Sequence, residues 1–174
     1  MNTPPIGDFI TTRTGNRFHV RPVVYQDDGT IRAFFSHVTR TDLRFRFLTG
    51  MNEIGPAQIT MLTHPDASHA ESYVVFTEDG GMMVASAMLT WNPALDRGEV
   101  AIAIRDDHKH KGLGWELLAY IARIAETKGI RTLQSIESRD NHEAIELERD
   151  MGFTVSEYPD DPTLVLVSRS IDRR

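Results

Sequence analysis

The sequence has 174 residues and not one cysteine. Disulfide bonds, thiolate metal sites and a cysteine nucleophile are therefore excluded. The absence of cysteine is compatible with a reducing compartment but does not by itself indicate one. His108 and His110 are two residues apart in a polar segment, and no further ligands accompany them in the pattern that a metal site requires. We therefore expect no metal.

Long apolar runs and an excess of positive charge are also missing. No apolar run approaches the roughly 20 residues of a membrane-spanning helix, and the first sixteen residues lack the basic and then apolar layout of a signal peptide. The net charge is −6, whereas nucleic-acid-binding proteins usually present a basic face. We therefore expect a cytoplasmic protein that binds neither membranes nor nucleic acid. The oligomeric state is left open, a homodimer included.

Hydrophobic residues make up 40% of the sequence, which is enough for one well-packed domain. Residues 1–16 are rich in Thr, Pro and Gly and are expected to form a loosely ordered or edge extension, whereas residues 17–174 are expected to form a single domain. Apolar spacings of three and four residues predict short helices between 27 and 64, after a first strand at 17–23. Alternating patterns predict three antiparallel strands between 71 and 107.

The C-terminal half returns to helices alternating with strands. A long helix, a strand, a helix and two strands are predicted at 113–128, 132–138, 141–151, 153–158 and 163–170. The complete order predicts an α+β fold in which helices flank a central mixed, mostly antiparallel sheet.

The segment AIAIRDDHKHKGLG, residues 101–114, leads from an apolar strand into the long helix. A helix N-terminus exposes unpaired backbone N–H groups and attracts anions. Gly112 and Gly114 let the backbone approach such an anion closely, and Lys109 and Lys111 add positive charge. This junction therefore predicts a site for a phosphate-bearing ligand.

Two common phosphate motifs do not fit this junction. A P-loop would continue with Lys and Ser or Thr after its last glycine, but Trp115 follows Gly114. A dinucleotide-binding fingerprint would have a third glycine where this sequence has Leu117. The remaining pattern is KHKGLG, residues 109–114, a basic residue followed by Gly-x-Gly between an antiparallel strand and a helix.

This pattern resembles the pyrophosphate-binding motif of the GNAT superfamily of acyl-CoA N-acyltransferases, in which Gln or Arg usually stands at the position of Lys109. NHEAIELERDMGF, residues 141–153, is similar to the second signature of the family, Asn-x-x-Ala ending in Gly-Phe, and VRPV resembles its first strand. TDLRFRF, with residues 101–114, further resembles the Pat-type protein lysine acetyltransferases. The resemblance implies a GNAT-like fold and acetyl-CoA as co-substrate and small-molecule acyl donor.

The resemblance also implies where the acyl donor binds. Backbone N–H groups around Ile102 to Ile104 would hold the oxyanion. Asn141 would bond the pantetheine arm, with a simple helix N-cap as the alternative. The predicted cofactor contacts are Ile102, Ile104, Lys109, His110, Lys111, Gly112, Leu113, Gly114 and Asn141.

The attacking amine must be neutral, and a lysine-like amine with a pKa of about 10.4 is about one part in a thousand neutral at pH 7. A general base is therefore useful. Glu99 is the predicted base, since it lies on the strand entering the junction, where the resemblance implies a catalytic carboxylate. The alternatives are a solvated Glu99 paired with Arg97, and Glu71 as the base.

The thiolate of coenzyme A must also leave. The family often places a Tyr in its second signature to donate a proton, and the matching position here is Glu148. We expect an ionised Glu148, which cannot donate, so that the thiolate leaves unassisted or with help from Ser138 or another hydroxyl. The missing Tyr favours a non-catalytic acyl-CoA-binding sensor as the alternative function, whereas Glu99 favours an enzyme.

The acceptor is expected to be a primary amine, either a protein lysine or a small molecule. The resemblance implies that the helix predicted at 41–49, capped by Thr41 or Asp42, lines the acceptor groove. The alternative for this helix is a half-buried surface element in which either Arg44 or Arg46 forms a salt bridge.

Overall fold

The computed structural model describes residues 6–172. Within this range, eight strands form one sheet in the spatial order β1-β2-β3-β4-β5-β6-β8-β7. Neighbouring strands are antiparallel except β5 and β6, which are parallel. The strands are β1 Asp8–Thr11, β2 Arg17–Pro22, β3 Ala70–Thr77, β4 Met83–Trp91, β5 Arg97–Ile104, β6 Thr132–Ser138, β7 Thr154–Glu157 and β8 Leu164–Ser170. The predicted α+β class with a mixed, mostly antiparallel sheet is confirmed.

Helices cover both faces of this sheet. They are α1 Asp28–Phe35, α2 Arg40–Phe47, α3 Pro56–Thr63, α4 Leu113–Thr127 and α5 His142–Asp150. One core cluster joins α1, α2 and α3 to residues such as Val74 and Ala103 of the sheet. The other joins α4 and α5 to the opposite face. Over residues 6–172, none of the helices is long and apolar enough to cross a membrane.

Helix α4 is fixed by an apolar stripe that matches its period. Leu117, Leu118, Ile121 and Ala125 are all buried in the core, and burial of each large aliphatic side chain contributes about 1.5–3 kcal/mol. After the helix, Gly129 adopts the left-handed conformation with φ 85°, which glycine reaches without strain. Because its core face is anchored in this way, the N-terminus of α4 is held at a fixed place beside the sheet.

Two predicted boundaries on the site side differ from the structure. Helix α2 begins at Arg40, and its cap is Thr39, whose side chain accepts a hydrogen bond from the Asp42 N–H at 3.1 Å. The predicted caps were therefore two or three residues late, because an N-cap accepts from the N–H two or three residues further on. Strand β5 ends at Ile104, and a 3-10 turn at Asp106–His108 replaces the predicted end of the strand.

The parallel pair β5–β6 is short. Only Arg97–Glu99 pair with residues 132–134 of β6, whereas β5 stays paired with β4 as far as Ile104 and β6 stays paired with β8 as far as Ser138. The two strands therefore diverge after Glu99 and leave a wedge-shaped opening in the middle of the sheet.

Strand β1 lies inside the segment predicted as an N-terminal extension. It pairs with β2 from Asp8 opposite Val20 to Thr11 opposite Arg17. The Tyr120 hydroxyl of α4 donates to Asp8 Oδ2 at 2.8 Å, which links this edge strand to the helix.

Candidate active site

A cavity of about 290 Å³ occupies the wedge between β5 and β6. Its wall combines α2, β5, the loop that follows β5, the first turn of α4, β6 and α5. Seven of the nine predicted cofactor contacts line it, namely Ile102, Ile104, Lys109, His110, Gly112, Gly114 and Asn141. The wedge therefore gathers residues from distant parts of the sequence around one space.

The other two predicted contacts lie elsewhere. Lys111 is exposed to solvent outside the cavity. The Leu113 side chain is only 1% exposed and belongs to the core beneath α4. Leu113 is nevertheless the first residue of α4, so that its backbone N–H, and not its side chain, belongs to the anion-attracting helix end.

Both glycines at the start of α4 are placed where glycine is favoured. Gly112 has φ 83°, in the left-handed region that favours glycine. A Cβ at Gly114 would lie 3.3 Å from Ile104 Cδ1 and 3.5 Å from Leu147 Cδ1, both from residues that line the cavity. The helix end is thus packed closely against β5 and α5, and Gly112 and Gly114 line the cavity, which fits a phosphate group.

Two basic side chains beside these glycines, those of Lys109 and His110, already have acidic partners. Lys109 Nζ lies 2.6 Å from Asp42 Oδ2 and 3.6 Å from Glu143 Oε2, and His110 Nδ1 lies 2.8 Å from Glu143 Oε1. Burial works against the charged form of Lys109, but the hydrogen bond and charge of Asp42, together with Glu143, outweigh it and raise its pKa. Lys109 therefore bridges α2 and α5 across the cavity.

Glu99 lies at the apex of the wedge, as the last residue of β5 that pairs with β6. It is half-buried and lines the cavity. Burial raises the pKa of Glu99, and the positive charge of Arg46 partly opposes this. The carboxylate is therefore more basic than a solvated glutamate, which suits proton abstraction.

Helix α2 contributes Arg46 to the same cavity. Its Nε is enclosed and has no hydrogen-bond partner among residues 6–172. Burial lowers the pKa of Arg46 to about 10, against the charges of Glu99 and Glu137, so the guanidinium stays charged at neutral pH. Arg44 is exposed and donates to Asn52 Oδ1 at 2.9 Å. Only the Arg46 face of α2 meets the cavity.

Glu71, the alternative base, lies on the other face of the sheet. Its Oε1 is 2.5 Å from Lys128 Nζ, just after α4, and the Tyr73 hydroxyl also donates to its carboxylate. Glu71 is not among the residues that line the wedge cavity. The sheet separates it from Glu99.

A second pair of carboxyl groups lines the cavity opposite β5. They are Glu137 of β6 and Glu148 of α5, and burial raises the pKa of both. The Ser135 hydroxyl donates to Glu148 Oε2. Burial, followed by the hydrogen bond and charge of Glu137, raises the pKa of Glu148 to about 9. Burial beside a second carboxyl group thus favours the neutral form of Glu148 over the ionised form expected from the sequence.

An alternating pattern in β6 indicates this pair of carboxyl groups, although the pair was not among the predictions. Leu133, Ser135 and Glu137 alternate along β6 and share one face, and Leu133 is fully buried in the core. Polar residues that continue a core-facing pattern are unusual unless they serve a function. Ser138, the predicted hydroxyl, has the opposite parity and accepts instead from the Asp140 N–H at 3.3 Å.

Asn141 is the N-cap of α5. Its Oδ1 accepts from the Ala144 N–H at 3.4 Å, and its Nδ2 donates to Glu137 Oε2 at 3.2 Å. The structure thus contains the capping role that was the alternative for Asn141. The same side chain lines the cavity, so a role with the acyl donor stays a prediction.

Residues 37–153 match the family model described as the acetyltransferase (GNAT) family. The chain belongs to this family. The expectation from the KHKGLG and NHEAIELERDMGF motifs is confirmed, and with it the expectation that the protein is an acetyltransferase. An acetyltransferase of Pseudomonas aeruginosa is 26% identical over 154 residues, which cover 87% of this chain and 83% of that protein.

Solved structures of GNAT proteins share the fold. The GNAT domain of S. lividans PAT matches with a TM-score of 0.85 at 22% identity, over 94% of this chain and 96% of that one. A Salmonella typhimurium protein solved with its cofactor acetyl-CoA matches with a TM-score of 0.69 at 16% identity, over 90% of this chain and 94% of that one. At these identities the matches establish a common architecture.

Proposed function

We propose that this GNAT protein transfers the acetyl group of acetyl-CoA to a primary amine by direct attack, with Glu99 as the general base. One observation carries the proposal: a half-buried carboxyl and a glycine-rich helix N-terminus open into one cavity. The first suits deprotonation of an amine and the second suits binding of a pyrophosphate. The acetyl-CoA in the structurally similar Salmonella typhimurium protein supports the same donor.

The first turn of α4 would hold the pyrophosphate of the donor. Gly112 and Gly114 leave its N–H groups accessible, and the helix dipole favours negative charge there. Lys109 would add a point charge. Because Asp42 and Glu143 already hold Lys109, the phosphates would compete with these carboxylates for it.

Glu99 would take a proton from the acceptor amine, directly or through one water. Burial makes the carboxylate more basic, while Arg46 favours its ionised form. Both effects are useful, because a base must be ionised and yet bind a proton readily. Arg46 would thus help to keep Glu99 ionised at neutral pH without contacting the amine.

The edge of β5 beyond Glu99 would orient the acyl group. From Val100 to Ile104 this strand pairs with β4 but not with β6, so backbone groups border the cavity. N–H groups around Ile102 to Ile104 would then stabilise negative charge on the acyl oxygen. The chemistry that acetyl-CoA supplies is an acyl carbon activated as a thioester.

The acceptor would enter from the α2 side of the sheet, while the donor enters from the α4 and α5 side. Glu99 and Arg46 both meet the cavity where α2 crosses β5. Asp42, Glu99, Glu137 and Glu143 give the wall several carboxylates, which suits a cationic amine. A protein lysine and a small-molecule amine both meet this requirement.

The test is a transfer screen. Purified protein is incubated with acetyl-CoA and a panel of small amines, lysine-containing peptides and whole proteins, with thiol release as the readout and mass spectrometry of the acceptor as confirmation. We expect thiol release that depends on the acceptor, and an increase of about 42 Da in the mass of the acetylated acceptor. Tight acetyl-CoA binding without transfer to any acceptor would instead support the sensor function.

A further inference from the structure

We propose that Asp42 and Glu143 form an ammonium site for a second positive charge on the acceptor, and that Lys109 fills this site until the phosphates of the acyl donor draw it away. The inference rests on the proposed acetyl transfer. It narrows the acceptor to amines that carry another cationic group, which a diamine and a lysine beside a basic residue both do.

The Lys109 side chain shows what these two carboxylates hold. Its Nζ lies 2.6 Å from Asp42 Oδ2 and 3.6 Å from Glu143 Oε2, and all three residues line the wedge cavity. A lysine side chain ends in a primary alkylammonium with three N–H donors, the same group as the protonated end of a diamine or of an acceptor lysine. The Lys109 ammonium therefore occupies the place where an acceptor ammonium would bind.

This contact is open to exchange. The side chains of Lys109, Asp42 and Glu143 keep 21%, 23% and 56% of their exposure, and ion pairs that solvent reaches contribute little net stability. Lys109 also lies three residues before Gly112, where the proposed donor would place its pyrophosphate. Each phosphate group offers charged oxygens to an ammonium, so a bound donor would compete for Lys109 and leave Asp42 without its cation.

The ammonium site lies one helical turn from the surroundings of the proposed base. Asp42 and Arg46 are four residues apart on α2 and share one face, with a rise of about 6 Å between them. Arg46 and Glu99 both line the cavity, and the charge of Arg46 acts on Glu99. An acceptor with two nitrogens separated by a short carbon chain would thus present one amine to Glu99 and a second cationic group to Asp42.

The shared use of Lys109 couples the two substrates. A donor that takes Lys109 uncovers Asp42 for the acceptor, and an acceptor bound to Asp42 leaves Lys109 free for the donor. Each ligand should therefore raise the affinity of the other by the same factor, since such coupling is reciprocal. No covalent bond changes at this site, and the acetyl transfer itself is that of the proposed function.

The experiment is a calorimetric titration of the diamine cadaverine into the protein, with and without saturating coenzyme A. Coenzyme A carries the phosphates of the donor but no acyl group, so no transfer occurs during the titration. A titration of cadaverine into coenzyme A alone corrects for direct pairing of the two ligands. In the wild type, coenzyme A should raise cadaverine affinity by about fivefold or more, the range typical of coupled sites.

Two variants separate the site from the residue that fills it. Asp42→Asn should abolish the effect of coenzyme A on cadaverine affinity, whereas Lys109→Gln should bind cadaverine about fivefold or more tightly than the wild type when no coenzyme A is present. Asp42→Asn keeps the backbone N–H that Thr39 caps, and thermal unfolding checks that both variants are folded. The control Glu53→Gln removes an exposed carboxylate that does not line the cavity, and it should keep the wild-type coupling.

Transfer kinetics test the acceptor class and its source. The KM of the wild type should be up to about fivefold lower for cadaverine than for pentylamine, the upper range for an ion pair that solvent reaches. Asp42→Asn should remove this difference with little change in kcat. A peptide with lysine beside arginine, compared with the same peptide carrying glutamine for arginine, repeats the test for a protein acceptor. A preference in the small-molecule pair supports a diamine, and one in the peptide pair supports a protein lysine.

Three results would overturn the inference: a wild type that binds cadaverine no better with coenzyme A, a coupling that Asp42→Asn retains, or no gain in cadaverine affinity in Lys109→Gln. A wild type that transfers acetyl to no acceptor would instead refute the proposed function, because the calorimetric coupling is measured without turnover.

Discussion

Replacing Gly112 by Asp and by Asn isolates the charge of the proposed phosphate site. The two side chains are nearly isosteric, and both tolerate the left-handed conformation that φ 83° requires. The nearest heavy atom to a Cβ at this position is Thr12 Cβ at 3.6 Å, which is ordinary contact. The two variants therefore differ in one negative charge at the N-terminus of α4.

That charge should act in opposite directions on stability and on binding. A carboxylate at a helix N-terminus stabilises the helix by about 0.3–1 kcal/mol, so Gly112→Asp should be at least as stable as Gly112→Asn. A phosphate charge about 6 Å away, at an effective dielectric constant of about 40, is repelled by about 1.4 kcal/mol. Gly112→Asp should thus bind acetyl-CoA about tenfold more weakly than Gly112→Asn, or more if both phosphates contribute.

Calorimetric titration with acetyl-CoA and thermal unfolding measure the two effects on the same samples. The difference in affinity should shrink in 1 M salt, where screening acts over about 3 Å. Equal acetyl-CoA affinities of the Asp and Asn variants at low salt would refute the anion site. A drop in Tm that parallels the loss of affinity would show that the carboxylate damages the fold.

Lys109→Arg should retain acetyl-CoA affinity, and Lys109→Glu should lose it. The loss of affinity should be smaller at high salt because the interaction is electrostatic, and a loss that does not depend on salt would indicate folding damage. Glu143→Gln should strengthen acetyl-CoA binding, since it removes a carboxylate that competes for Lys109, and weaker binding would contradict this. Asp27→Asn should cost about 3–5 kcal/mol in urea unfolding at pH 7, because two hydrogen bonds of 2.8 Å hold Arg21 to it in a buried pair. Burial opposes this ionised pair, but Arg21 and the Val24 N–H outweigh burial and lower the pKa of Asp27. The difference in unfolding free energy between the wild type and Asp27→Asn should therefore shrink as pH falls below about 3.9. A difference in unfolding free energy that does not depend on pH would refute the ion pair.

The fold and the donor end of the site could be predicted from sequence because both depend on local patterns. The apolar period of α4 and the glycines at 112 and 114 are readable within one segment. The wedge is different, because it arises where β5 and β6 stop pairing after Glu99. That point depends on long-range register, which periodicity does not encode.

The raised pKa of Glu148 could not be predicted for a related reason. A glutamate on an amphipathic helix is ordinarily a solvated anion. Its character here follows from burial against β6 and from a neighbour, Glu137, eleven residues earlier in the sequence. Lys111 is exposed, although its place in the basic motif predicted a contact with the acyl donor. The motif does not determine the direction in which the loop turns each side chain.

The rate of acetyl transfer by Glu99→Gln, measured against pH beside the wild type, tests the central claim most directly. The substitution is nearly isosteric, so acetyl-CoA affinity should persist while turnover at pH 7 falls about 10²–10⁴-fold. The deficit should narrow as pH rises, because more of the amine is then neutral, and Glu71→Gln on the other face of the sheet should retain turnover. Near-wild-type turnover of Glu99→Gln at pH 7, or an equal deficit at every pH accompanied by lost acetyl-CoA binding, would contradict the account.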